Sequence, residues 1–326
     1  MKAVLCKHYG PPSELVVEEV PSLKAGEGQV LVEVHACGVN FPDTLIIQGK
    51  YQFKPALPFS PGAEVAGVVM EVGAGVTDFQ PGDRVIAATT WGGYAQQALA
   101  QAERVTRMPE GMDFQTAAAF LLTYGTSHHA LKDRAELKPG ETVLVLGAAG
   151  GVGLAAVEIA KVMGARVIAA ASTEDKLAIC RQHGADETIN YSSEDLRERV
   201  KALTGGRGVD VIYDPVGGDL SEPALRSMAW RGRFLVVGFA AGAIPNLPLN
   251  LPLLKGCAII GVFLGAFMRS EPQRYASELR ELLAWMADGK LHPHVCAVYP
   301  IERAAEALND LINRRVTGKV VLSTGL

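Results

Sequence analysis

The stretch that constrains the chain most is LVLGAAGGVGLAAVEIA, residues 144–160. An apolar run gives way to glycines at 147, 150, 151 and 153, and these to a helical apolar repeat. Glycines gather in this way where a backbone must turn sharply and be approached closely, because a residue without Cβ leaves its N–H groups open to a neighbour. The helix that follows presents its unpaired first-turn N–H groups and the positive end of its dipole at the same point. Strand, glycine turn and helix N-terminus in that order cradle a pyrophosphate. The segment therefore predicts a dinucleotide held along Ala148, Gly150, Gly151, Val152 and Gly153. The strict G-x-G-x-x-G phase is broken at Ala148, but Gly150 and Gly153 preserve the close approach.

A second apolar run, RVIAAAS (166–172), lies where the next strand of such a unit belongs, and its end decides which dinucleotide is taken. An acid there would accept hydrogen bonds from the adenine-ribose 2′-hydroxyl and repel a 2′-phosphate. The chain has Ser172 instead. Lys176, one helical turn on, can supply a charge-assisted contact to a phosphate, while Glu174 and Asp175 oppose that field. The pattern points to NADPH.

Around this unit the texture changes twice. Runs 29–39, 64–73, 83–89 and 94–100 are strand-like and punctuated by SPG, GAG and PGD, the mark of a small β-rich domain. From Asp113, a candidate N-cap, the pattern becomes helical, and strand-like runs at 143–147, 166–172, 187–190, 210–216 and 233–239 then alternate with helix-length segments. Such alternation predicts a doubly wound parallel sheet with crossover helices. SEPQRYASELRELLAWMADG reads as an amphipathic helix with a Ser270/Gln273 capping box and a stripe of Leu279, Leu282, Leu283 and Met286. The closing strand, helix and strand have no parallel partner of their own and are expected to return to the first domain.

A chain of 326 residues suits two domains. A net charge of −4 without charge blocks offers no field for nucleic acid. No apolar run is long enough to span a membrane or serve as a secretory signal, so a cytoplasmic protein is expected. Cys6, Cys37, Cys180, Cys257 and Cys296 are scattered without a C-x-x-C pair and read as reduced and buried. The pairs His128/His129 and His292/His294 lack metal-site spacing and read as surface or capping residues.

Five motifs together, ACGVNFPD (36–43), GKYQFKPALPFSPGAEVAG (49–67), FQPGDRV (79–85), GAAGGVG (147–153) and GKVVL (318–322), give a resemblance over essentially the whole chain. It resembles the zinc-free quinone oxidoreductase, or zeta-crystallin-like, branch of the medium-chain dehydrogenase/reductase superfamily. The resemblance implies an α/β fold: a GroES-like β-rich catalytic domain, discontinuous over 1–123 and 266–326, and a Rossmann domain over 124–265 that binds NADPH. It also implies a homodimer formed through the Rossmann-domain edges. Zinc-bearing relatives carry a ligating Cys at the position of Asn40 and a His within G-H-E where this chain has Gly62, Ala63 and Glu64, and the cysteines of their structural zinc lobe are missing. No metal is expected, since a catalytic zinc needs three protein ligands.

Without a Lewis acid the chemistry suits an acceptor that delocalises the incoming charge: a quinone, an enone or an α,β-unsaturated acyl thioester. Tyr51 matches the G-x-Y motif of related enoyl reductases and is the candidate proton donor. Asn40 is the candidate partner of a substrate carbonyl or the nicotinamide ribose, and Asp43 reads as a turn acceptor. The resemblance further assigns Thr126 to the nicotinamide and Lys176, Tyr191 and Arg315 to the adenine end. Three readings follow: an NADPH-dependent quinone reductase, a reductase of enoyl thioesters or enones using the same residues, and an NADPH-binding protein without turnover. The partner in the first two is a small apolar electrophile.

Overall fold

The structure, a computed structural model, describes every residue from Met1 to Leu326 and divides the chain into two compact units. One comprises Met1–Leu122 with Pro293–Leu326, the other Thr123–His292. Residues 266–292, grouped above with the first domain, are compact with the second unit.

The first unit is built on the strand Gln29–Val39, whose apolar residues are almost all buried. One edge pairs antiparallel with Glu64–Val72; the other is shared by Gln97–Gln101, opposite residues 29–33, and Lys319–Ser323, opposite residues 36–39. The sheet continues through Arg84–Ala88 to Val105–Arg107 on one side and, by a parallel pairing, to Val295–Pro300 on the other. The closing elements thus return to the first unit, as expected, but their two strands pair parallel with each other, contrary to the expectation that they lack a parallel partner. Val30, Val32, Val34, Val65, Val85, Tyr94 and Leu322 form its core, covered by Ala304, Ala307 and Leu308, one stripe of the helix Ala304–Ile312. The register has a chemical consequence. Val320 lies opposite Val39 and Cys37 opposite Val65, so Lys319, Asn40 and Glu64 meet at one end of three adjacent strands.

The second unit carries six parallel strands in the order Glu187–Asn190, Arg166–Ala171, Thr142–Leu146, Val209–Asp214, Met228–Val236, Ala258–Gly261. This is the doubly wound Rossmann order. Strands such as TVLVL are buried throughout because sheets of this kind are covered on both faces. The order reverses between Thr142–Leu146 and Val209–Asp214, the switch point outside whose strand carboxyl ends sheets of this kind bind ligands.

Several local expectations are corrected. The amphipathic helix runs Pro272–Ala287 with Glu271 at its N-cap and no side-chain cap, so the Ser270/Gln273 box does not form; Pro272, with its fixed φ, starts the helix instead. Its buried stripe is Tyr275, Leu279 and Leu282, with Leu283 and Met286 half-buried. Cys6, Cys37 and Cys180 are buried as expected, but Cys296 is exposed on a strand whose residues alternate in exposure. His128 and His129 are buried, not on the surface. No helix is long and apolar enough to cross a membrane.

Candidate functional site

In the second unit the glycine segment behaves as its composition dictates. Gly147 leaves the strand Thr142–Leu146 with φ +56°, a left-handed turn, and Gly150 N-caps the helix Gly151–Val162 with its N–H bonded to Gly147 O at 3.0 Å. The glycines do different work. A Cβ on Gly153 would stand 2.5 Å from Gly147 O and 2.7 Å from Ala148 Cα, so this glycine is required for the helix to pack on its own turn. A Cβ on Gly150 would meet only Gly147 O, at 3.4 Å, which the fold accommodates. Gly150 is therefore spare to the fold, and its bareness matters to whatever approaches from outside.

Two buried groups fix the neighbouring helix Leu121–His128 to this segment. Ser127 Oγ donates to Val152 O at 2.8 Å and shares a hydrogen bond of 2.9 Å with Tyr213 OH. Tyr124 OH donates to the buried Glu158 Oε2 at 2.6 Å, and the same carboxylate lies 2.6 Å from His183 Nδ1. Thr126 sits between these anchors along the helix and is half-buried. Sequence reasoning missed Ser127 and Glu158, although a lone acid in the apolar helix AAVEIA was a signal that it needs buried partners.

At the adenine end, Ser172 immediately follows the strand Arg166–Ala171, and the N–H of Tyr191 donates to Ala171 O at 3.1 Å. Ser172 and Tyr191 thus lie side by side at the carboxyl ends of adjacent strands. Thr173 caps the helix Glu174–Gln182, accepting from Lys176 N–H at 3.4 Å, which places Lys176 in its first turn. Glu174 is ion-paired with Arg181, which also donates to Thr188 Oγ1 at 3.0 Å. Of the two acids expected to oppose a phosphate here, one is thus matched by an arginine. Arg315 belongs to the first unit, where it is exposed and pairs with Asp310 at 3.2 Å.

In the first unit the strand ends assemble a buried polar cluster. Glu64 is fully buried; its Oε1 accepts from Asn40 Nδ2 at 2.9 Å and Lys319 Nζ at 2.7 Å, and its Oε2 from Leu122 N–H at 2.9 Å. Lys319, only 5% exposed, spends its three donors on Glu64, Asn40 Oδ1 (2.7 Å) and Val39 O (3.0 Å). Asn40 gives its remaining amide hydrogen to Gly38 O at 3.2 Å. A Cβ on Gly38 would stand 2.5 Å from Glu64 Oε1, so glycine leaves the carboxylate its place. Asn40 therefore has no donor left for a substrate carbonyl; what it can offer is the second lone pair of Oδ1. These residues do not fit zinc. The ammonium has no lone pair and already occupies the acceptors of Glu64 and Asn40. Lys319 was visible only as part of GKVVL, although a lysine heading an apolar strand called for a buried acceptor.

Asp43 extends the cluster as the acceptor expected of it, taking Asn40 N–H at 2.8 Å and Tyr94 OH at 3.0 Å on Oδ2. Burial pushes its carboxyl up to about 6, against the pull of these hydrogen bonds and of Lys319. Tyr51 is half-buried and packs on the barrel core, edge-to-face with Phe53 at 5.8 Å.

Two predictions follow from this geometry. Gly150→Ala should leave the melting temperature within a few degrees of wild type yet weaken dinucleotide binding about tenfold or more. Gly153→Ala should lower stability by about 1–3 kcal/mol, as overpacking does. Thermal melts paired with cofactor titrations read both, and equal stability losses would refute the division of labour. Second, folded Asp43 keeps its proton up to about pH 6, whereas the unfolded chain releases it near 3.8. Its contribution to stability is therefore full below 3.8 and is lost as pH rises through 6. The melting temperature of wild type minus that of Asp43→Asn should fall between pH 4 and 7; a flat difference would contradict the shift.

Comparison with known proteins agrees with both units. The family described as "Alcohol dehydrogenase GroES-like domain" matches residues 26–110, and that described as "Zinc-binding dehydrogenase" matches residues 151–288. The chain is 42% identical over 99% of its length, and 89% of the relative's, to "Quinone oxidoreductase-like protein 2 homolog" of Nematostella vectensis. It is 39% identical to "Quinone oxidoreductase" of Homo sapiens, covering 99% of this chain and 97% of the human one. The crystal structure of Escherichia coli quinone oxidoreductase complexed with NADPH superposes with a TM-score of 0.92 at 33% identity, covering 99% of this chain and all of the other. A GroES-like unit, a Rossmann unit and full-length likeness to these enzymes lead to one conclusion: the chain belongs to the quinone oxidoreductase family of the medium-chain dehydrogenase/reductase superfamily.

Proposed function

We propose that this protein is an NADPH-dependent reductase of quinones that works without zinc and as a homodimer. The observation that carries the cofactor is the adenine-end arrangement. A serine stands where an acid would select the unphosphorylated ribose, a lysine lies in the adjoining helical turn, and Arg181 matches the charge of Glu174. The NADPH bound in the Escherichia coli relative supports the same reading. The zinc-free reading rests on two absent ligands, with Asn40 and Ala63 at the positions where zinc-bearing relatives carry Cys and His, and on the Lys319 ammonium held by Asn40 and Glu64.

Bound NADPH supplies a hydride. The chain's part is to hold the pyrophosphate along Ala148, Gly150, Gly151, Val152 and Gly153 and the nicotinamide end beside Thr126. Ser172, Lys176 and Tyr191 receive the adenine end, with Arg315 as a further cation for its 2′-phosphate. Asn40, fixed by Lys319 and Glu64, presents Oδ1 as an acceptor for a ribose hydroxyl and acts as a positioning residue. Tyr51 gives its phenolic proton to the oxygen that gains charge, so quinone, one hydride and one proton yield the hydroquinone, and water returns the proton to the Tyr51 phenolate. The five unpaired cysteines support a reducing, cytoplasmic setting.

The second unit also carries the dimer proposal. Ala258–Gly261 is an edge strand, and Leu253 (77% exposed), Leu254 (67%), Leu249 (79%) and Trp230 (70%) stand uncovered on the elements around it. Such a concentration of large apolar residues at an unpaired sheet edge calls for a protein partner.

NADPH oxidation followed at 340 nm against quinones, enones and crotonyl or acryloyl thioesters tests the activity. Turnover should be fastest with quinones; preference for the thioesters would replace the substrate class, and no turnover would leave a binding protein. Tyr51→Phe should lower kcat about tenfold or more with KM little changed. Lys176→Ala should weaken NADPH roughly tenfold, the value of one charged contact, and leave NADH unaffected. Light scattering should give twice the chain mass, falling to a monomer in the Leu253→Asp/Leu254→Asp double variant.

A further inference from the structure

A second cluster of chemistry-bearing side chains lies within the second unit and has no part in the hydride reading. It joins the π-helical turn His129–Arg134 to the helix Pro272–Ala287. A ring nitrogen of His129, a carboxylate oxygen of Asp133 and one of Glu278 all lie within 4.8 Å of one another. Asp133 Oδ2 is 3.1 Å from Nδ1, but the angle is wrong for a hydrogen bond, and Nδ1 is buried with no hydrogen-bond partner. A buried polar atom in that condition is costly unless something else binds it. His129 is only 5% exposed and its ring is stacked on Phe267, centroids 4.0 Å apart at 15°, so the nitrogen cannot swing away to water. Burial also holds the ring below its ordinary pKa, against the pull of Asp133 and Glu278, which favours the neutral imidazole that a metal needs.

The surroundings hold the two carboxylates in place. Arg274 pairs with Asp133 Oδ1, leaving Oδ2 toward the histidine. His128 Nδ1 lies 3.1 Å from Glu278 Oε2 and its Nε2 3.0 Å from Glu281 Oε2, while Lys132 also pairs with Glu281. Glu278 is thus oriented through one oxygen with the other to spare, the outer-partner arrangement that steadies metal-ligating carboxylates. Single π-helical turns inside helices recur at functional sites. Residues 129 and 133, four apart in this turn, lie on one face.

We propose that His129 Nδ1, Asp133 and Glu278 bind one divalent ion of the zinc class, a water completing the coordination, and that the ion clamps the π-helical turn to the helix Pro272–Ala287. One imidazole and two carboxylates are donors zinc accepts. With bonds of about 2.0–2.1 Å, adjacent ligand atoms stand roughly 3.3 Å apart in a tetrahedron, close to the separation already present between Nδ1 and Oδ2. Magnesium, which keeps its waters and prefers oxygen, is a poor match. This site is separate from the Asn40, Glu64 and Lys319 cluster, and its occupancy does not bear on whether hydride transfer uses zinc.

Purified full-length protein, stripped with a chelator and then freed of it, is titrated calorimetrically with zinc chloride and, for comparison, magnesium chloride. One zinc per chain is expected, with affinity at least tenfold weaker in His129→Gln and in Asp133→Asn and unchanged in His8→Gln, which removes the exposed His8–Glu14 pair. Zinc should raise the melting temperature of wild type and of His8→Gln but not of the two site variants. No saturable zinc binding, or binding that both site variants retain, overturns the proposal. Should either variant fail to fold, anomalous scattering at the zinc edge from crystals of the wild-type complex decides: an ion between His129 and Glu278 supports the site, and an ion elsewhere refutes it.

Discussion

The first unit depends on a buried ion pair, Lys319 with Glu64, whose partners lie 255 positions apart in the chain. Taking both charges out of water is expensive, and their attraction compensates only because every remaining valence is filled: three acceptors around the ammonium, three donors onto the carboxylate. Such a pair adds little net stability compared with a well-packed apolar substitute, but losing one partner leaves an uncompensated buried charge at a cost of about 3–5 kcal/mol. It therefore specifies more than it stabilises. Only the register with Val320 opposite Val39 lets Lys319 reach Val39 O, Asn40 and Glu64 together, so the pair selects that pairing of the last strand over its slipped alternatives.

The same pair converts Asn40 from a flexible amide into a fixed one. In a site that holds a metal, the ion orients its ligands; here an ammonium supplies the positive charge and the orienting contacts. A lysine charge cannot accept an electron pair from a carbonyl, and this one has no donor to spare. The cluster can shape and hold the surroundings of a reaction but cannot polarise a substrate. That division is consistent with an acceptor whose own conjugation spreads the incoming charge.

Much of the fold was legible because it is carried by local pattern. The glycine turn, the alternating strands and helices and the two-unit organisation each leave a short-range signature of period or turn chemistry. Long-range pairings left none. Nothing local to GKVVL announces that Lys319 will meet Glu64, and nothing in KDR or SEL announces that Asp133 and Glu278 will share His129. The Ser270/Gln273 box failed because a proline at the first helical position outweighed the capping pattern around it. His128 and His129 were placed on the surface because adjacency was judged by metal spacing alone, while burial is decided by the helix Pro272–Ala287 far along the chain. The role given to Asn40 shifted for the same reason: its partners come from two other strands.

Cofactor selection shows how a structure can sharpen a residue-by-residue argument. In the sequence, STEDK presents one lysine against two acids, and the local field looks unfavourable to a phosphate. Folding changes the balance, because Arg181 lies two helical turns along from Glu174 and pairs with it while also donating to Thr188 on the adjoining strand. Both residues of that pair are largely exposed, so it adds little to stability. Its effect is electrostatic: a neutralised Glu174 leaves Asp175 as the one unmatched acid beside Lys176. Ser172 brings no charge to the end of the strand and Arg181 matches Glu174, so Asp175 is the acid that remains opposed to a 2′-phosphate. The proposed selectivity rests on the removal of negative charge as much as on the presence of a positive one.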